Sequence, residues 1–302
     1  MNSVQATRPE AKSQQATDSL RTDQPSSLQV PGAASSAPQS RTWAGVNLWR
    51  KNRPTILAVL SLAMGAVLWE ILGRWVVNPL FLPPLSQVWV RFIELVQAGQ
   101  LATDIGASSQ AYLLGLAVAI TVGGAVGIAM AASRIIRDLL DPWVAILNAT
   151  PTIALAPLFI VALGLGIESK VAVCAIVMLF PILINTYMGF STTDEQLVET
   201  AKSYCANPKQ IYMKVKLPMA TPYLIAGLRL AAAHGLVGVV VSELFGARAG
   251  IGLLILNSAE TFDSRALFVG IIILAVAGVA ITYALIWLER RLARWRATEQ
   301  DA

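Results

Sequence analysis

Apolar residues run through the chain in blocks, and the polar residues gather between them. A hydrocarbon core about 30 Å thick is crossed by a helix of about 20 predominantly apolar residues. Six stretches meet that condition: 55–76, 107–132, 143–166, 170–190, 222–245 and 266–288. The pattern predicts an all-α, polytopic membrane protein with about six transmembrane helices. Few polar side chains interrupt the blocks. Glu70 lies in the first, where a carboxylate near the outer interface is expected to be paired or to snorkel. Asn148, Asn185, His234, Ser242 and Glu243 lie in the later ones. An unpaired polar group in hydrocarbon is costly, so each is either bonded between helices or lines a wet cavity. These five are the candidates for lining such a cavity.

The segments between the blocks have patterns of their own. In 77–106, Pro79, Pro83 and Pro84 break the chain. From Ser86 onward Val88, Phe92, Leu95 and Val96 form one face of a short helix, with Arg91 and Glu94 on the other. Such a helix is expected at the membrane surface. In the second block Gly123 and Gly127 allow close approach of another helix, either within one bundle or between chains. Ser133 to Asp141 reads as a charged connection, with Asp141-Pro142 opening the next helix. Pro151 and Pro157 interrupt the third block. Broken helices persist in membranes where backbone faces protein or a wet cavity, so this break is either a pathway wall or a structural kink.

The stretch 192–218 is polar and rich in lysine. Thr192 or Thr193, followed by Glu195 and Gln196, has the spacing of a capping box. Leu197, Ala201 and Tyr204 then recur at helical spacing. Asn207-Pro208 closes this helix and opens a second, in which Ile211 and Val215 form the apolar stripe. Leu217-Pro218 precedes the fifth block. This helix–turn–helix is either a docking element for a soluble partner or a solvated loop.

Composition agrees with the block pattern: 55% of the 302 residues are hydrophobic and 14% charged. Residues 1–46 are rich in Ser, Gln, Ala, Pro and Thr and are expected to be a disordered tail without a signal-peptide core. The net charge of +5 is distributed around the blocks, which argues for membrane orientation and against nucleic acid. Arg50, Lys51, Arg53, Arg134, Arg137, the four lysines of 202–216 and the arginines after Glu289 fall on one side. The positive-inside bias places both termini and the 192–218 loop in the cytoplasm. The two cysteines, Cys174 and Cys205, form no disulfide framework or metal spacing. One histidine excludes a multi-histidine metal site, and no phosphate loop of the G-x-x-x-x-G-K-[ST] type occurs. Ser242 and Glu243 are adjacent and yield no nucleophile–base–orienter set for a membrane enzyme.

The loop resembles the cytoplasmic loop of bacterial ABC-importer permeases, in which Glu-Ala-Ala, three residues, Gly, nine residues, Ile, one residue and Leu-Pro follow in order. Glu199, Ala201, Leu217 and Pro218 fall on that pattern, with Val215 at the Ile position. Thr200 stands for the first Ala, and Cys205 for the Gly, the residue that most readily takes left-handed backbone angles. Pro151 to Leu158 and Tyr223 to Arg229 resemble the nitrate, sulfonate and taurine branch. The resemblance covers about residue 50 to the end.

It implies a type I ABC-importer-like permease fold in a bacterial inner membrane and a transport subunit without its own ATPase site. Glu199, Ala201, Cys205, Val215, Leu217 and Pro218 would be the ATPase-coupling residues, and Asn148, Asn185, His234, Ser242 and Glu243 the candidate pathway residues, with Glu243 near the external gate. The implied partners are a second copy in a homodimer, two cytosolic ATPase subunits that hold the ATP, and a periplasmic or lipid-anchored solute-binding protein. No cofactor or metal would sit on this chain itself. The solute would be a small anion (aliphatic sulfonate, taurine or nitrate), with a heterocyclic vitamin precursor or aromatic acid as the alternative. A passive channel or scaffold would leave the docking loop without a purpose.

Overall fold

The computed structural model describes residues 44–292, and all regular structure among them is helical. Contacts divide the chain after Leu57, and the part before that point is described only as the opening of the first helix. The expected tail of 1–46 lies outside the described residues except for 44–46. Arg294 and Arg296 also lie outside them.

α1 (Ala44–Ile71) runs into a π-helical turn, Leu72–Val76. Its apolar stretch Ile56–Val76 buries little surface within this chain. Trp69 anchors it: the indole N–H donates to the Pro83 carbonyl at 3.1 Å, and the ring meets Phe268 edge-on at 5.3 Å. Glu70 is paired, as expected. Its carboxylate accepts from Arg74 Nε (2.7 Å), from the Ser86 hydroxyl (2.8 Å) and from the Ser86 N–H (3.0 Å). That last bond satisfies a free donor in the first turn of α2 (Leu85–Gln97).

α2 is amphipathic, as its sequence predicts. Val88 and Leu95 are buried with Leu101, Leu254, Ala266 and Val269, and Phe92 packs against that cluster. Arg91 bridges to Glu94 at 2.8 Å and to Asp263 at 3.0 Å, which ties α2 to the last connection. The hydrogen bond to Glu94 raises the Arg91 pKa further, so the guanidinium end of this tie keeps its charge.

Gly99, at φ 72°, turns the chain into α3 (Gln100–Ala132), which starts well before the expected residue 107. α4 (Arg134–Ala149) corrects a second boundary. Ser133 caps it by accepting from the Ile136 N–H, and the helix passes straight through Asp141-Pro142. A proline inside a helix removes one hydrogen bond, and here it does not end the helix. A 3₁₀ turn (Thr152–Leu155) and α5 (Ala156–Leu163) follow, bent 86° from α4. Pro151 marks the bend. Pro157 lies in the first turn of α5, where its missing N–H costs nothing, so only one of the two prolines breaks the span.

α6 (Ile167–Ser191) is the centre of the packing, between α3 and α9 (Leu217–Leu244). Glycines let it be so. A Cβ at Gly115, Gly123 or Gly127 of α3 would lie 2.5, 2.9 and 2.6 Å from Cys174 Cβ, Leu179 O and Leu183 O of α6. On the other side, a Cβ at Gly227 of α9 would lie 2.6 Å from Asn185 Cβ. The Gly123–Gly127 pair therefore serves a contact within the bundle. α7 (Glu195–Ser203) and α8 (Pro208–Ile211) form the 192–218 loop; α10 (Ile251–Glu260) and α11 (Ser264–Leu292) complete the chain. Among the described residues, five helices are long and apolar enough to span a membrane, and six when α4 and the bent segment after it count as one span.

Candidate functional site

Asp194 caps α7, accepting from the Gln196 N–H at 2.9 Å. This corrects the expectation of Thr192 or Thr193: an Asp immediately before the helix places its oxygen within reach of the second helical N–H. The reciprocal capping box occurs instead at Asn207 and Gln210, with bonds of 2.8 and 2.9 Å, and Pro208 takes the first turn of α8.

Between these helices Cys205 adopts φ 53°, left-handed despite its side chain. Its N–H donates to the Lys202 carbonyl at 2.8 Å, and the Ala206 N–H to the Ala201 carbonyl at 3.1 Å. These two bonds are the paired closures of a Schellman ending, the geometry that favours glycine at this position. Cysteine thus keeps the glycine turn at a cost. Cys205→Gly should relieve about 1 kcal/mol of left-handed strain, and Cys205→Val should add to it. Trypsin cleavage at Lys202 and Lys209 should slow in the first variant and quicken in the second.

Beyond α8 the helix does not stop. A π-helical turn, Tyr212–Lys216, leads directly into α9, so Pro208–Leu244 is one continuous helix of 37 residues. Leu217-Pro218 forms no boundary, since Pro218 falls beside the π turn and within the first turn of α9. Tyr212 stacks on Phe190 of α6 at 5.1 Å, and Ile211 is buried.

The stripe of α7 faces outward, with Leu197 44% and Tyr204 84% exposed, and Met213 on the continuous helix is exposed as well. Ala201 lies between Leu197 and Tyr204 on the same face of α7, half-buried, and Glu199 and Cys205 are exposed. Val215, Leu217 and Pro218 are half-buried on the continuous helix.

The five candidate pathway residues are not brought together. Asn148 on α4 and His234 on α9 are exposed on the surface of this chain. Asn185 is half-buried between α6 and α9, and its amide N–H donates to the Pro181 carbonyl of its own helix at 2.8 Å. Ser242 is buried and donates to the Val239 carbonyl at 2.7 Å. Glu243 is fully buried, accepting from the Ser108 hydroxyl and the Gly252 N–H, both at 2.7 Å. In this conformation Glu243 faces packed protein rather than an open gate.

Asp104 escaped the sequence reading because residues up to 106 were taken as non-spanning, and Ser108, one turn later and inside the 107–132 block, was not singled out. Their signal was two polar residues four apart at the head of an apolar run. A cavity of about 320 Å³ adjoins Ser108 and Tyr112 between α3, α9, α10 and α11, and none of the five pathway candidates lines it. Among the described residues, no three His, Cys, Asp or Glu side chains converge as metal ligands would.

Residues 119–295 match the family model of the binding-protein-dependent transport system inner membrane component. The chain is 32% identical to the putative aliphatic sulfonates transport permease protein SsuC of Bacillus subtilis, over 82% of this chain and 90% of that one. It is 32% identical to the formylaminopyrimidine transport permease protein ThiX of Halalkalibacterium halodurans, over 78% and 94%. It is 28% identical to the taurine transport system permease protein TauC of Escherichia coli, over 83% and 94%. With these matches and its helical, multi-pass architecture, the chain belongs to the binding-protein-dependent inner-membrane components, the permease subunits of ABC importers.

Proposed function

We propose that this permease carries a small organic or inorganic anion, an aliphatic sulfonate, taurine or nitrate, and that two copies pair around the pathway. The 192–218 loop faces the cytoplasm, as does each terminus, and docks an ATPase subunit through the exposed Leu197 and Tyr204, with the half-buried Ala201 between them. ATP is held by the ATPase pair, and this chain contributes no nucleotide or metal ligand. A solute-binding protein delivers the solute at the opposite face.

One observation carries the coupling: the unbroken helix Pro208–Leu244, which joins the docking loop to the span bearing His234. ATP-driven closure of the ATPase subunits displaces the loop, and a continuous helix passes that displacement along its length. The likeness to SsuC and TauC, and the branch segments 151–158 and 223–229, support the sulfonate reading. The equal identity to ThiX favours, as second reading, a heterocyclic vitamin precursor. Uptake of labelled taurine, alkanesulfonate and formylaminopyrimidine should be compared in vesicles holding the permease, its ATPase and its binding protein. Uptake of the pyrimidine alone would discard the anion.

The exposed positions of α4 and α9 are the proposed walls. Cysteine at position 234 or 148 should react with a water-soluble thiol reagent, at rates that change with nucleotide. Cysteine at 242 or 243 should react little in the state described, because both sites are buried. Silence at both 148 and 234 in every nucleotide state would remove those two helices from the pathway.

A further inference from the structure

The amino terminus of α10 is gripped by side chains from two other helices. The Gly250 N–H donates to Asp104 Oδ1 at 2.9 Å, the Ile251 N–H to Ser108 Oγ at 2.9 Å, and the Gly252 N–H to Glu243 Oε2 at 2.7 Å. The Ser108 hydroxyl then donates to Glu243 Oε1 at 2.7 Å, linking α3 to α9. Lys170 of α6 donates to the Ala249 carbonyl at 3.0 Å, just ahead of the same turn. Three donors that helix geometry leaves free are thereby all engaged. A carboxylate is well placed there, because the helix dipole presents partial positive charge at that end.

The fit admits no side chain. A Cβ on Gly250 would fall on the Glu243 carboxylate. One on Gly252 would lie 2.7 Å from the Val240 carbonyl and 2.9 Å from Glu243 Cβ. Breaking one member of a buried, hydrogen-bonded polar group is expensive, since the remaining partners are stranded. The clamp is therefore stiff. Its two acid arms differ: both Glu243 oxygens are engaged, whereas the second Asp104 oxygen is buried without a partner.

Glu243 also stands in the last turn of the 37-residue helix that starts in the docking loop. At 1.5 Å per residue that helix is about 55 Å long, enough to cross a bilayer and reach beyond its hydrocarbon core. We propose that Glu243, with Ser108 and Asp104, is the joint that fastens α10 to the far end of this rod, so that displacement of the loop is delivered to α10. Glu243 acts as a positioning residue, one that touches neither solute nor nucleotide. The inference rests on the coupling role proposed for the loop.

The test uses the complete importer in lipid nanodiscs, where both faces are open to reagent. Met213→Cys reports the loop end and Asn257→Cys the exposed side of α10. The ATP-dependent change in labelling rate is read on each peptide by mass spectrometry, so Cys205 does not interfere. Without further substitution, both sites should change severalfold. In Glu243→Ala the response at 213 should persist and the response at 257 should be lost; Glu243→Gln, which keeps an acceptor for the Gly252 N–H, should restore part of it. Asp104→Asn should have the smaller effect. Should Glu243→Ala fail to assemble, Ser108→Ala carries the same test, with a reduced response confined to 257. A full response at 257 in the assembled clamp variant overturns the joint. A response at 213 but none at 257 in the parent overturns the joint and leaves the coupling role standing. Silence at both in the parent overturns both.

Discussion

Gly127→Leu should leave almost no folded permease in the membrane, while Gly124→Leu, three residues earlier on the same helix, should be tolerated. A Cβ at 127 would meet the Leu183 carbonyl oxygen at 2.6 Å and Thr186 Cβ at 2.8 Å. The first of these is backbone of the central helix and cannot turn aside. A Cβ at 124 meets nothing within 4 Å. In hydrocarbon, helices gain little from burying apolar surface because lipid is equally apolar, so close packing of small residues carries the association. Overfilling such a contact costs about 3 kcal/mol or more when the obstacle is backbone, a large share of the stability of an average domain. Fluorescent fusions of the two variants, extracted in mild detergent and run on a sizing column, should separate them. A monodisperse peak for Gly127→Leu at the parent yield would refute the α3–α6 packing. A lost peak for Gly124→Leu would show that a surface outside this chain also needs that face.

The contrast between these glycines shows what was legible beforehand. Spacing marked Gly123 and Gly127 as a close-approach pair and could not name the helix they meet, because periodicity describes one helix at a time. The spans themselves were readable from the apolar blocks, since hydropathy is local. Their ends were less so. Pro142 and Pro218 looked like boundaries, and both are absorbed inside or at the first turn of longer helices. A proline removes one backbone hydrogen bond and need not end a helix, so its place in the sequence does not fix a boundary.

Glu243 was visible as a misplaced carboxylate. Its role was not, since its partners Ser108 and Gly252 are 135 and 9 residues distant along the chain. In the 192–218 loop the Asn207-Pro208 junction was legible, because caps and turns are short-range chemistry, whereas the cap of α7 fell on Asp194 rather than Thr192 or Thr193. Even there the glycine position holds a cysteine that adopts the glycine angle, and only coordinates reveal that the turn is kept.

Ala201→Trp should reduce uptake severely while leaving the protein inserted and folded. Ala201 lies between Leu197 and Tyr204 on the exposed stripe of α7, which rests on no spanning helix of its own chain strongly enough to bury those two side chains. An indole at that point stands proud of the stripe and holds any partner surface away from both neighbours. Anchors at the centre of an interface typically contribute about 2 kcal/mol or more each, so losing close contact weakens the partner's affinity upwards of about tenfold. The backbone of Ala201 also accepts the Ala206 N–H, but a side-chain change leaves that bond in place. The helix therefore survives, and tryptophan is an acceptable helix residue. Reconstituted vesicles should show little uptake, with the ATPase either lost on co-purification or hydrolysing ATP without response to the loaded binding protein. Glu199→Ala should do much less, because an exposed carboxylate with water around it contributes little to any contact. Parent levels of uptake and of ATPase co-purification in Ala201→Trp would show that α7 is a solvated connection, and the exposed stripe would then need another partner.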